Sequence, residues 1–171
     1  MANDDAPHGF RFVAQLDGGD PQIRVFVKAA ADGTLLGKWD LVDVTGAEDV
    51  VARGAAGGPF VGPTLAAGAA STLTNQPTII CSERTLLEAQ EDSVGGAIAA
   101  ASEQLNADVI VAAAVQGISQ MEIDSNTAAT TATLDLSLYQ IAPYVGNAQG
   151  NQARWFVRLN DLRYGDLKAG I

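Results

Sequence analysis

The chain has 171 residues, enough for one domain that buries roughly two thirds of its unfolded surface without a disulfide or a metal. Its formal net charge is −10, with 10 Lys and Arg against 20 Asp and Glu, which disfavours nucleic acid and anionic membrane surfaces as partners. The single cysteine, Cys81, leaves no intramolecular disulfide to form and suits assembly in a reducing cytoplasm.

Residues 1–12 read as an extended N-terminal arm ahead of a single β-rich body over 13–171. The opening Met1-Ala2-Asn3-Asp4-Asp5-Ala6-Pro7-His8 is polar and acidic, without the basic and apolar regions of a signal peptide. No apolar run approaches the roughly 20 residues of a membrane span. In an extended chain Phe10 and Phe12 share one side and Arg11 takes the other. Two destinations are open for these aromatics. With Pro7 they can fill apolar pockets on a neighbouring molecule, because buried aromatics supply much of interface energy. Alternatively they begin the protein's own first strand.

Gln22–Lys28 has the period of a half-buried strand, with Ile23, Val25 and Val27 alternating against Arg24, Phe26 and Lys28. Asp32-Gly33 is a hairpin signal that should return the chain into a second strand at Leu35–Val44. Residues 53–77 are rich in glycine, proline and alanine and read as loop or short edge strand, since proline cannot donate to a ladder. Short strands are expected at Thr78–Cys81 and Thr85–Gln90. Ala97–Leu105 is alanine-rich, follows Gly95-Gly96 and precedes Asn106, which predicts a short helix. Val109–Val115 suits a buried strand.

The clearest strands come last. Thr131–Ile141 puts Leu134, Leu136 and Leu138 on one face and Asp135, Ser137 and Tyr139 on the other. Ala153–Leu159 sets Ala153, Trp155, Val157 and Leu159 against Arg154, Phe156 and Arg158. Trp155 belongs with a core, and Phe156 with its two arginines marks a contact face on the opposite side. The connection 143–152 reads as a long exposed loop. Many short strands with Gly/Pro punctuation predict a mainly β, antiparallel barrel or sandwich with one short helix.

Little of the chain points to chemistry. The only histidine, His8, lies in the expected arm, a poor place for preorganised catalysis. One cysteine and one histidine leave no zinc site of the usual kind. Cys81 falls in an apolar strand, where thiols are inert. Glu88, Glu91 and Asp92 cluster, but an acid–base pair needs two carboxylates facing each other at a defined distance. Asp124-Ser125-Asn126-Thr127 lacks the ligand spacing of an EF-hand and reads as a turn. Gly95-Gly96 lacks the Lys and Ser/Thr of a phosphate loop. No catalytic residue, cofactor or metal is expected.

Several strings occur together: Pro7-His8-Gly9-Phe10-Arg11, then Gln90-Glu91-Asp92-Ser93-Val94-Gly95-Gly96, Leu105-Asn106-Ala107-Asp108, Asp124 through Ala132, and Ala153-Arg154-Trp155-Phe156-Val157-Arg158-Leu159-Asn160. In this order they resemble head-decoration, or capsid cement, proteins of tailed bacteriophages. The resemblance implies a β-barrel-like body seated outside an icosahedral shell, with the major capsid protein as partner. It also implies a homo-oligomer, a trimer by the three-fold seats of such shells, made in the bacterial host cytoplasm. A head–tail connector or tail component, and a carbohydrate-binding β-sandwich on the virion surface, are the alternative roles. An enzyme built on carboxylates is a further one. Pro7, Phe10, Phe12, Arg154, Phe156 and Arg158 are the interface candidates.

Overall fold

A computed structural model describes residues 3–46, 49–92 and 94–164. Residues 1–2 of the expected arm, Ser93 of one string above and residues 165–171 of the expected body lie outside them. In chain order the strands are β1 (Arg11–Gln15), β2 (Gln22–Lys28), β3 (Leu41–Val44), β4 (Val51–Arg53), β5 (Gly62–Pro63), β6 (Thr74–Ile80), β7 (Thr85–Gln90), β8 (Asn106–Ala107), β9 (Val109–Ile110), β10 (Glu122–Ile123), β11 (Leu136–Ile141) and β12 (Arg154–Leu159). The fold is mainly β and its strand ladders are antiparallel.

The largest sheet has five strands in the order β1-β7-β12-β11-β8, and none of the sheets closes into a barrel. Smaller sheets β2-β6, β4-β3-β5 and β10-β9 accompany it, an arrangement consistent with a sandwich. The main core lies on the inner face of the five-stranded sheet. Leu87, Ala89, Leu136, Leu138, Trp155 and Val157 pack there with Phe10, Leu41, Phe60, Met121 and Ile123. A second cluster, Phe26, Leu36, Val42, Val51 and Val61, joins β2 to β3 and β4. A third, Leu86, Ala142 and Phe156, sits on the outer face of the large sheet with Val13 and Tyr139 against it. The period of two in β12 delivers alternate residues to these two faces.

The local hairpin signal at Asp32-Gly33 does not pair β2 with the chain that follows. The partner of β2 is β6, in register from Gln22↔Ile80 to Lys28↔Thr74. The 29–34 turn closes on itself instead: Asp32 Oδ1 accepts from Thr34 N at 2.8 Å, and the fully buried Lys28 donates Nζ to Asp32 O at 2.7 Å. Only Leu41–Val44 of the expected 35–44 strand forms. Trp39 at φ 74 breaks the extended run before it.

Pro77 sits inside β6, where the Pro-rich reading placed loop or edge. Its carbonyl accepts from Leu65 N at 2.7 Å, away from β2. The N and C=O of one strand residue point the same way, so the missing N–H falls on that outer side and no bond to β2 is lost. The neighbouring approach of β5 requires glycine. A Cβ on Gly62 (φ +147) would lie 2.1 Å from the carbonyl oxygen of Ile79.

The helix expected over 97–105 is absent, and a single 3-10 turn at Ala100–Ser102 takes its place. Alanine favours helix by only a few tenths of a kcal/mol over most residues, so tertiary bonds decide. Ile98 N donates to Glu91 Oε2 at 2.8 Å, Gln104 N donates to Leu138 O at 2.7 Å, and Gln104 is at φ 70. The Gln104 amide that a helix would bond to Ala100 O is therefore committed to a strand, and its left-handed backbone ends any helical path.

Over residues 3–12 the expected extended N-terminal arm lies against the body. Asn3 exchanges hydrogen bonds with Ala148 and donates to Asn151 O, while Gln90 bonds Asp4 O and Ala6 N. Phe10 N donates to Trp39 O at 3.0 Å. Gly9 (φ +74) passes so close to Ser119 that a Cβ would lie 2.4 Å from it. The segment is laid along the protein's own body and runs into β1.

Candidate functional site

The outer face of the five-stranded sheet gathers most of the residues singled out from sequence. Register places Arg11 opposite Glu88 and Glu88 opposite Phe156, a row across β1, β7 and β12. Arg154 stands opposite Gln90, and Arg158 opposite Ser137. The Arg158 guanidinium lies 5.7 Å from the ring centre of Tyr139, within cation–π range. Tyr144 meets Phe156 edge to face, with centroids 5.8 Å apart and planes at 81°. Arg11 is exposed, and Arg154 and Arg158 are half-buried.

Glu88 is the buried centre of this face. His8 Nε2 lies 3.2 Å from its Oε1, and Arg154 Nη1 lies 3.9 Å away on the far side. Burial alone would raise the Glu88 carboxyl. The close approach of His8 and Tyr144, with the charges of His8 and Arg11, outweighs burial and holds it below its ordinary value. The same contact, after burial, raises the Tyr144 phenol. His8 thus ties residues 3–10 to the sheet.

The interface candidates divide. Arg154 and Arg158 occupy the expected outer face. Phe156 points to that side, as the alternation requires, but it is 8% exposed and packs into the small outer cluster, so the arginines and not the ring meet solvent. Pro7 is half-buried, and its carbonyl faces Gln120 Nε2 at 3.4 Å. Phe10 is fully buried in the main core and Phe12 packs partly buried against it. Their shared side was read correctly, but it faces this chain's own interior. The roles of His8, Tyr144 and Tyr139 were missed. Their partners are remote in sequence, and no local pattern announces such a contact.

The suspected chemical clusters do structural work. Cys81 is buried and its thiol is pushed well up by burial. Asp92 Oδ1 accepts from Ser125 N and Oγ, and Asp124 Oδ1 accepts from Asn126 N at 2.9 Å, which makes Asp124–Thr127 a side-chain-closed turn. Among the described residues no group of three or more His, Cys, Asp and Glu is placed to hold a metal ion, and no helix is long and apolar enough to cross a membrane.

Glu122 on β10 is strained electrostatically. Burial first, then the nearby charges of Asp5 and Asp92, lift its carboxyl from 4.5 to about 7. The folded state therefore holds this proton more tightly than the unfolded chain. Stability is complete below pH ~4.5 and is lost as pH rises towards ~7. Such a shift corresponds to about 3 kcal/mol when unscreened, and to about 1–2 kcal/mol at this partly exposed site. Glu122→Gln is expected to be more stable than the parent by that amount near pH ~8, with the gain vanishing near pH ~4. Denaturant melts at the two pH values check it, and an equal gain at both would refute the assignment.

No protein-family model, no curated protein and no solved structure matches this chain.

Proposed function

We propose that this chain is a non-catalytic structural virion protein that binds the outside of an icosahedral phage capsid and stabilises it by bridging major capsid protein subunits. The observation that carries this reading is the outer sheet face. Three arginines, Arg11, Arg154 and Arg158, stand with Tyr139 and Tyr144 over the buried Phe156 on a chain whose net charge is −10. Arginine and aromatic side chains on a rigid sheet are the usual makings of a protein interface. The likeness of its sequence strings to head-decoration proteins supplies the partner. Action as a trimer at three-fold seats follows from that role, and many weak copies on one shell add up to strong cementing.

Arg158→Ala together with Arg11→Ala is expected to leave circular dichroism and the melting temperature close to the parent while weakening capsid binding by about tenfold or more. Co-sedimentation with purified shells reads this directly. Undiminished binding by a folded double variant would remove the face from the interface. Stoichiometry in purified particles separates the roles: hundreds of copies fit a cement protein, and about six or twelve fit a connector.

A further inference from the structure

We propose that the cleft between the N-terminal segment and the β11–β12 connection binds a neutral pyranose sugar. The cleft has a volume of ≈ 230 Å³ and is lined by Asn3, Asp4, Tyr144, Asn147, Gln152 and Arg154, among others. That size suits one sugar ring.

The walls are built before any ligand arrives. Both polar atoms of Asn147 are engaged, Nδ2 to Ala142 O and Arg154 O at 2.7 and 2.9 Å, and Oδ1 from Arg154 N at 2.9 Å. Asn3 clamps Ala148 and Asn151 across the other wall. Tyr144 is held by its N–H to Ala142 O at 2.8 Å, by the edge contact with Phe156 and by its hydroxyl towards Glu88, yet 43% of it is exposed. A ring fixed this way costs little entropy to use as a platform.

The chemistry of the rim selects the ligand class. One face of a pyranose is lined with C–H groups and packs flat on an aromatic ring, while its hydroxyls need donors and acceptors together. Arg154 offers donors and the exposed Asp4 offers an acceptor. Asp4 on the wall and the −10 net charge oppose an anion. Arg154, already 3.9 Å from Glu88, opposes a cation. A neutral polyol with an apolar face satisfies all of these groups. The site shares Tyr144 and Arg154 with the outer sheet face, so its test reads sugar binding by the chain without shells, while Arg11 and Arg158, which do not line the cleft, report on the shell.

The test is titration of the ¹⁵N-labelled chain with methyl glycosides of glucose, galactose, mannose, rhamnose and N-acetylglucosamine, with adenosine as a flat, uncharged control. At least one glycoside is expected to shift the amides of residues 144–147 and 152 saturably in the millimolar range. Tyr144→Ala is expected to weaken that binding by about tenfold, while Tyr144→Phe keeps the platform and stays within about threefold. Asp4→Ala, a change at an exposed position, is expected to weaken it with the fold intact. Absence of saturable shifts with every glycoside, shifts unaltered in Tyr144→Ala, or binding of adenosine in place of sugars would each overturn the proposal.

Discussion

Replacing Phe10 by alanine is expected to destabilise the chain by about 3–5 kcal/mol, the range for deleting a buried aromatic from a packed core. Phe10 is fully buried in the main cluster, which also holds Leu41 and Trp155. Its backbone is fixed on both sides, by Phe10 N to Trp39 O at 3.0 Å and by the close passage of Gly9 at Ser119. The segment therefore has little freedom to collapse into the space the ring vacates. Phe12→Ala should cost less because that ring is only partly buried, and Arg11→Ala, on the exposed side of the strand, should cost within about 0.5 kcal/mol. Urea melts should show a lower midpoint for Phe10→Ala at unchanged slope. The opposite pattern, a fully stable Phe10→Ala that no longer binds shells, would return Phe10 to the intermolecular anchor role.

Legibility in the sequence followed the range of the interaction. The alternation of β12 and β11 was readable because both faces of these strands carry a clean contrast, so Trp155 and Phe156 were assigned to opposite sides correctly. The bulge between Leu138 and Gln140 left that contrast usable. The pairing of β2 with β6 was not readable. A hairpin signal is local, whereas the bonds that won join residues about fifty positions apart. The helix failed for the same reason: an alanine-rich stretch carries a weak preference, and the bond from Gln104 N to Leu138 O, with Gln104 left-handed, overrides it. Phe10 and Phe12 had the right side and no address, because alternation says which residues travel together and not what they meet. The outer face was half visible, through Arg154 and Arg158. Its organising residue, Glu88, had been noticed only as one of several clustered carboxylates.

Asp135→Ala is expected to cost about 2–5 kcal/mol, because it strands two backbone donors that nothing else on hand can satisfy. Asp135 sits 1% exposed just ahead of β11. Its Oδ1 accepts from Gly57 N at 3.0 Å and its Oδ2 from Val109 N at 3.1 Å, so one carboxylate staples the 54–61 loop and β9 to the large sheet. Burial raises its carboxyl above the ordinary value, and the two amide bonds oppose that without cancelling it. The folded state then binds this proton more tightly than the unfolded chain. Stability from this group is greatest at low pH and declines as pH climbs through the raised value. Asp135→Asn keeps one oxygen acceptor and no titration, so it should fall between parent and Asp135→Ala. The parent's advantage over Asp135→Asn should narrow as pH rises. Guanidinium melts measure the stabilities, and hydrogen exchange locates the damage: the amides of Gly57 and Val109 should lose protection first in Asp135→Ala. Protection retained at both amides, or an Asp135→Ala midpoint equal to the parent's, would show that this staple does not hold the loop.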